Sequence, residues 1–135
     1  MRKVLILMGS ESDRERMEQA VPILRDAGVE CDVEVSSAHR QPDRTAELAR
    51  TAEEKGYGVI ICGAGLSAAL PGVVAAHTRL PVIGVPLSAG TLGGLDALLS
   101  VAQMPPGVPV ACVGIDNARN AAHLALRILR LLDER

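Results

Sequence analysis

Apolar residues in this chain follow two rhythms. Short unbroken runs, Val4-Leu5-Ile6-Leu7-Met8, Val59-Ile60-Ile61-Cys62 and Val82-Ile83-Gly84-Val85-Pro86, alternate with stretches whose apolar positions fall three or four residues apart. An unbroken run bounded by glycine marks a strand buried on both faces, whereas the wider spacing gives a helix one apolar side. Taken in order, the first run ends at Gly9, and Met17, Ala20, Val21, Ile23 and Leu24 then predict a helix closed by Ala27-Gly28, with Pro22 an irregularity inside it. A strand over residues 29–35 and a helix over 45–55, stopped at Gly56, come next. The third strand runs into Gly63-Ala64-Gly65, and residues 66–77 predict a helix that Pro71-Gly72 either interrupts or begins. After the fourth strand come a glycine-bearing loop over 87–93 and a helix through Leu95, Leu98, Leu99 and Ala102. Met104-Pro105-Pro106-Gly107 is a turn, 108–115 a fifth strand and 118–132 a final helix.

Strand and helix thus alternate five times. Such alternation implies parallel pairing and an α/β three-layer sandwich, with a central five-stranded parallel sheet of flavodoxin-like or Rossmann-like type. A barrel of eight units needs a longer chain. Composition narrows the partners. At 135 residues and 48% hydrophobic, residues 1–135 make one domain with its own core. One Tyr and no Phe or Trp leave no stacking platform for single-stranded nucleic acid. A net charge of −2 without a Lys/Arg run argues against nucleic-acid or anionic-membrane surfaces as partners. Cys31, Cys62 and Cys112 are odd in number and widely spaced, which fits reduced thiols in the cytoplasm and gives no zinc-type spacing. The opening apolar run is too short for a signal peptide, and no run approaches the roughly 20 apolar residues of a membrane span. The expectation is a cytoplasmic protein acting on a small molecule.

In an open parallel sheet ligands bind beyond the carboxyl ends of the strands. Four segments should therefore converge: 9–13, 36–42, 63–70 and 87–94. Gly9-Ser10-Glu11-Ser12-Asp13 offers close backbone approach, hydroxyls and free N–H groups at a helix start, a cradle for phosphate. Helix capping by Ser10 or Ser12 explains the same residues as well. Asp13 would repel phosphate and accept instead from sugar hydroxyls. In Ser36-Ser37-Ala38-His39-Arg40-Gln41-Pro42-Asp43, Arg40 supplies a forked cation and His39 a proton carrier near neutral pH. Gly63-Ala64-Gly65-Leu66-Ser67-Ala68-Ala69-Leu70 supplies a wall of small residues, which close helix–sheet packing would also explain. The substrate-binding candidates are Ser10, Ser12, Asp13, Ser37, Ala38, Arg40, Gly63, Ala64, Gly65 and Leu70, with His39 catalytic. His77 and His123 fall on predicted helices and read as surface or packing residues, and Ser88 and Ser100 have no neighbouring His and acid to form a triad.

Met8-Gly9-Ser10-Glu11-Ser12-Asp13, Ser37-Ala38-His39-Arg40-Gln41-Pro42-Asp43, Gly63-Ala64-Gly65, Leu70-Pro71-Gly72, residues 80–86 and Leu99-Ser100-Val101-Ala102-Gln103-Met104-Pro105, in that order, resemble the 5-(carboxyamino)imidazole ribonucleotide mutase family of de novo purine synthesis. That family is also known as the phosphoribosylaminoimidazole carboxylase catalytic subunit. The resemblance implies that carboxylate moves from the exocyclic nitrogen of a phosphorylated imidazole ribonucleotide to ring carbon 4. It implies no metal, nucleotide or biotin cofactor, and a homo-octamer. By position, Ser10 and Asp13 match the family's ribose-phosphate site, Arg40 its phosphate ligand and His39 its general acid/base. Where bacterial mutases usually have Gly-Gly-Ala-Ala-His-Leu-Pro-Gly, this chain puts Ala69 at the place of the second histidine. The branch that uses free CO2 also lacks that histidine. Three other readings stay open: direct carboxylation of 5-aminoimidazole ribonucleotide with CO2, using His39 in the same way, a carboxylase-like domain acting on another mononucleotide, and a non-catalytic mononucleotide sensor. His39 speaks against the sensor, which needs no proton carrier.

Overall fold

A computed structural model describes residues 1–133. Strands β1 (Lys3–Met8), β2 (Cys31–Val35), β3 (Tyr57–Gly65), β4 (Val82–Leu87) and β5 (Ala111–Cys112) form one parallel sheet in the order β2-β1-β3-β4-β5. That order is the flavodoxin-like one of the two expected arrangements. The helices are α1 (Arg14–Met17), α2 (Ala20–Asp26), α3 (Pro42–Thr51), α4 (Leu70–Ala76), α5 (Leu95–Ala102) and α6 (Ala118–Asp133).

Alternation along the strands sorts the core into two halves. Val4, Ile6 and Met8 of β1, with Val59, Ile61, Ile83 and Val85, pack against Met17, Ala20 and Leu24 of α1 and α2 and against α6. Leu5 and Leu7, with Ile60 and Cys62, face Ala49 of α3, Leu70 and Val74 of α4, and Ala97 and Val101 of α5. Each fully buried Leu, Ile or Val contributes roughly 1.5–3 kcal/mol, so the apolar runs are the main source of cohesion. Helix α6 buries Ala118, Ala121, Ala122, Ala125, Leu126 and Leu129, one continuous stripe at helical spacing, and its alanines let it lie close to the sheet.

Three expectations change. The first predicted helix is broken at Glu18 and Gln19, because Pro22 has no N–H to give to Glu18 and its ring crowds that carbonyl. The amide of Val21 bonds Glu18 instead, at 3.0 Å. Residues 66–69 are not helical: α4 starts at Leu70 with Pro71 in its first turn, and Leu66 (φ 50°) and Ala68 (φ 37°) take left-handed conformations. The fifth strand contracts from 108–115 to two residues, since Pro109 cannot donate to the ladder and only Ala111 and Cys112 register with Ile83 and Gly84.

Strand order decides where a ligand can enter. The chain leaves β1 toward β2 on one side and returns to β3 on the other, so the loops after β1 and β3 diverge and open a crevice between them.

Candidate active site

Beyond β2 the backbone stays anchored for one residue, with the Ser36 amide donating to the Met8 carbonyl at 2.9 Å. Ser36 and Thr45 are both fully buried, and their hydroxyls meet at 2.7 Å. Thr45 Oγ1 donates its one proton to the Ser37 carbonyl at 3.2 Å, which leaves Ser36 as the donor between the two hydroxyls. Ser37 Oγ accepts from the Arg40 amide at 3.1 Å, and the Ser37 carbonyl also takes the Gln41 amide at 2.8 Å. Pro42 then opens α3 in the first turn, as its spacing predicts. Ala38, His39 and Arg40 are thereby held on a tight turn, with His39 and Arg40 exposed toward the crevice.

That crevice is a cavity of about 600 Å³ lined by Gly9, Ser10 and Asp13 after β1, by residues 37–41 after β2, and by residues 64–70 after β3. Its charges are unequal in their compensation. Glu11 is held by Arg14 at 2.5 Å, and that hydrogen bond keeps its carboxyl below the usual range. Asp13, with a side chain only 13% exposed, pairs with Arg16 at 3.0 Å. Burial pushes the Asp13 carboxyl above its ordinary value, and the Arg16 charge and hydrogen bond offset part of that rise. Neighbouring Arg44 is taken up by Glu34 and the Val35 carbonyl, whereas Arg40 has no ion-pair partner among the described residues. The cavity therefore offers one uncompensated cation beside one imidazole, a setting for a phosphate next to a proton transfer.

Of the expected binding residues, Ser10, Asp13, Ser37, Ala38, Arg40, Ala64, Gly65 and Leu70 line this cavity together with His39. Ser12 does not, and its hydroxyl lies 2.9 Å from that of Ser10. Ser10 does cap the short 3-10 turn Glu11–Asp13, accepting from the Ser12 amide at 3.3 Å, while also facing the cavity. Gly63 is turned the other way, where a Cβ would collide with the sulfur of Met17, so close packing explains it and ligand contact does not. Segment 87–94 also stays off the cavity lining. Ser88 instead donates its amide and hydroxyl to the Asp116 carboxylate, at 2.8 and 2.5 Å. His77 caps the Val73 carbonyl at 2.9 Å and His123 is exposed on α6, both outside the site. Gln41 and Ser67 join the lining, although neither is among the sequence candidates. Gln41 stands inside the His-Arg turn and Ser67 inside the small-residue wall over 63–70, so adjacency points to both. No group of three or more His, Cys, Asp or Glu able to hold a metal ion occurs among the described residues.

The buried hydroxyl pair makes a testable claim about this turn. Thr45→Val leaves the Ser36 hydroxyl without an acceptor and should destabilise the protein by about 1–3 kcal/mol in urea unfolding. Adding Ser36→Ala should recover most of that loss, and a neutral Thr45→Val would show that the pair does not fasten the turn.

Comparison with known proteins bears on the family of the chain. Residues 3–135 match the family model described as AIR carboxylase. The chain is 59% identical over 131 residues to the N5-carboxyaminoimidazole ribonucleotide mutase of Pyrococcus abyssi, covering 97% of this chain and 75% of that protein. It is 55% identical over 124 residues to the phosphoribosylaminoimidazole carboxylase of Schizosaccharomyces pombe, covering 92% of this chain and 22% of that protein. Among solved structures, that of Treponema denticola PurE superposes with a TM-score of 0.84 at 32% identity, covering 97% of this chain and 82% of the other. With a family model that spans nearly its whole length and relatives above half identity, the chain belongs to the AIR carboxylase family.

Proposed function

We propose that this chain works as a 5-(carboxyamino)imidazole ribonucleotide mutase in de novo purine synthesis. The observation that carries this reading is the cavity at the β1/β3 divergence, where Arg40, without an ion-pair partner among the described residues, and the imidazole of His39 share one turn. Arg40 would take the substrate phosphate, and Asp13, already paired through one oxygen, would accept from ribose hydroxyls. Ser10, Ser37, Ala38, Ala64, Gly65 and Leu70 would complete the enclosure, with the imidazole ring against the small-residue wall.

One imidazole suffices for the chemistry. Protonated His39 gives its proton to the exocyclic nitrogen as the carbamate C–N bond breaks, releasing CO2 and the neutral amine. Ring carbon 4, made electron-rich by that amine, attacks CO2 and forms the new C–C bond. Neutral His39 then removes the proton from carbon 4, which restores the aromatic ring and its own charge, so the reaction is a net isomerisation. The wall over residues 64–70 keeps CO2 beside the ring, turning a bimolecular capture into a local one. Because Ala69 lines the cavity where the mutases usually carry a histidine, His39 is the one imidazole on that surface among the described residues.

A homo-octamer in the cytoplasm completes the proposal. Leu66, Leu92, Leu95, Leu99 and Ile115 are each more than a third exposed. Leu66 lies against Gly90, and Ile115 against Gly94, so these two flank the loop that leads into α5, where Leu95 and Leu99 are also exposed, apolar surface of the kind a subunit contact would cover. The three cysteines are free and unpaired with one another, as thiols in a reducing compartment would be, and burial pushes all three thiols up.

Purified protein offered the carbamate ribonucleotide should form the 4-carboxy product, whereas turnover of 5-aminoimidazole ribonucleotide with bicarbonate alone would make it a carboxylase and turnover of neither a sensor. His39→Asn should lower turnover by roughly 100-fold or more while leaving ligand affinity nearly unchanged, and retained activity removes His39 from the mechanism. Light scattering should give the mass of eight chains, falling for Leu95→Glu with Leu99→Glu; a monomeric parent protein would refute the assembly.

A further inference from the structure

Arg16 lies outside every motif of the sequence, yet three loops at the ligand edge of the sheet meet on its guanidinium. Nη2 donates to Asp13 Oδ1 at 3.0 Å. Nη1 donates to the Ser88 carbonyl at 2.8 Å and to Asp116 Oδ1 at 3.1 Å. Asp116 belongs to the β5–α6 loop, where a left-handed φ of 60° and an amide bond to the Pro86 carbonyl at 2.8 Å turn it back toward Ser88. The contacts to Arg16 thus span 72 residues to Ser88 and 100 to Asp116. One fork joins the β1–α1 turn, the β4–α5 loop and the β5–α6 loop.

We propose that Arg16 is a positioning residue for the Asp13 carboxylate, engaging Oδ1 so that the remaining oxygen is presented, ionised, to the cavity, with Ser88 and Asp116 fixing the guanidinium from the far side. This rests on the reading that Asp13 accepts from the substrate's ribose hydroxyls. A purely structural ion pair could have formed anywhere on the surface. Here the half-buried cation sits behind the one cavity-lining carboxylate that is itself buried, and its second arm is occupied by two loops that do not line the cavity. The other charged groups around Asp13 do not replace it. Glu11 on the same turn is turned to Arg14, His39 and Arg40 line the cavity from the β2–α3 turn, and Asp116 reaches Asp13 only through Arg16. Without Arg16, burial of Asp13 goes unopposed by its nearest cation, so the carboxyl should hold its proton to higher pH. A protonated Asp13 is a poorer acceptor, so ligand affinity should fall as pH falls through that raised value.

Arg16→Lys keeps the charge but not the fork. The test compares the parent protein with Arg16→Met and Arg16→Lys in two ways. Carbon-detected NMR follows the Asp13 carboxyl in the ligand-free proteins. Calorimetry then measures binding of 5-aminoimidazole ribonucleotide from pH 5 to 8. Arg16→Met should shift the Asp13 titration upward and weaken binding roughly tenfold, increasingly so toward pH 5. Arg16→Lys should restore much of the titration but not the affinity. An Asp13 titration and affinities equal to the parent's, with only a lower melting temperature, would make Arg16 a structural staple and overturn the proposal. If Arg16→Met does not fold, unchanged affinity in Arg16→Lys overturns it equally. A parent protein that fails to bind the ribonucleotide sinks the substrate assignment alone, because the carboxyl titration still judges Arg16.

Discussion

Burial of both sheet faces is the constraint from which the rest of this molecule follows. With helices α1, α2 and α6 on one side and α3, α4 and α5 on the other, the strands have no polar face to offer. Charged chemistry is confined to the strand ends, and the order β2-β1-β3-β4-β5 opens a crevice at only one place along them, between β1 and β3. Everything the site uses is hung on those ends. The buried Ser36–Thr45 pair ties the His39-Arg40 turn to the second strand and third helix, and the Arg16 fork ties Asp13 to two loops from the far half of the sheet.

Within that crevice, pairing decides which groups act on a ligand. Both cavity carboxylates already have an arginine, Glu11 through Arg14 and Asp13 through Arg16. Arg40 has no ion-pair partner among the described residues, which is why the proposal gives it the substrate's phosphate and gives the proton transfers to His39 beside it. Geometry of this kind fits a phosphorylated substrate whose reacting end needs one acid/base group. The small-residue wall over residues 64–70 adds no charged side chain to the cavity, and the proposed mechanism uses it to confine CO2. With Ala69 where the family usually carries a second histidine, the proposed mechanism routes its proton transfers through His39 alone.

Much of this is legible in the residues, and the exceptions have physical reasons. The unbroken runs at Val4, Val59 and Val82 give away buried parallel strands, because a strand covered on both faces has no polar alternation. Lateral strand order is not readable, since periodicity records how a strand meets its faces but not its neighbours. The pattern overextends the fifth strand because Val108, Val110 and Cys112 alternate acceptably, while Pro109 removes the donor that a ladder needs. Alternation could not have excluded Gly63 from the ligand set, because its neighbours Ala64 and Gly65 both line the cavity at the strand's end; its packing against Met17 comes from tertiary structure. The Arg16, Ser88 and Asp116 cluster leaves no local trace, because its members are joined across 72 and 100 residues by the fold alone.

Retention of CO2 between the two half-reactions is the central claim, and a label tests it most directly. Substrate carrying carbon-13 in its carbamate carboxyl would be turned over in unlabelled bicarbonate with carbonic anhydrase present, and the 4-carboxy product analysed by mass spectrometry. Transfer inside the cavity predicts that the product keeps carbon-13. A product carrying the unlabelled carbon of the medium would show that CO2 leaves the site before ring carbon 4 captures it, and would contradict the account.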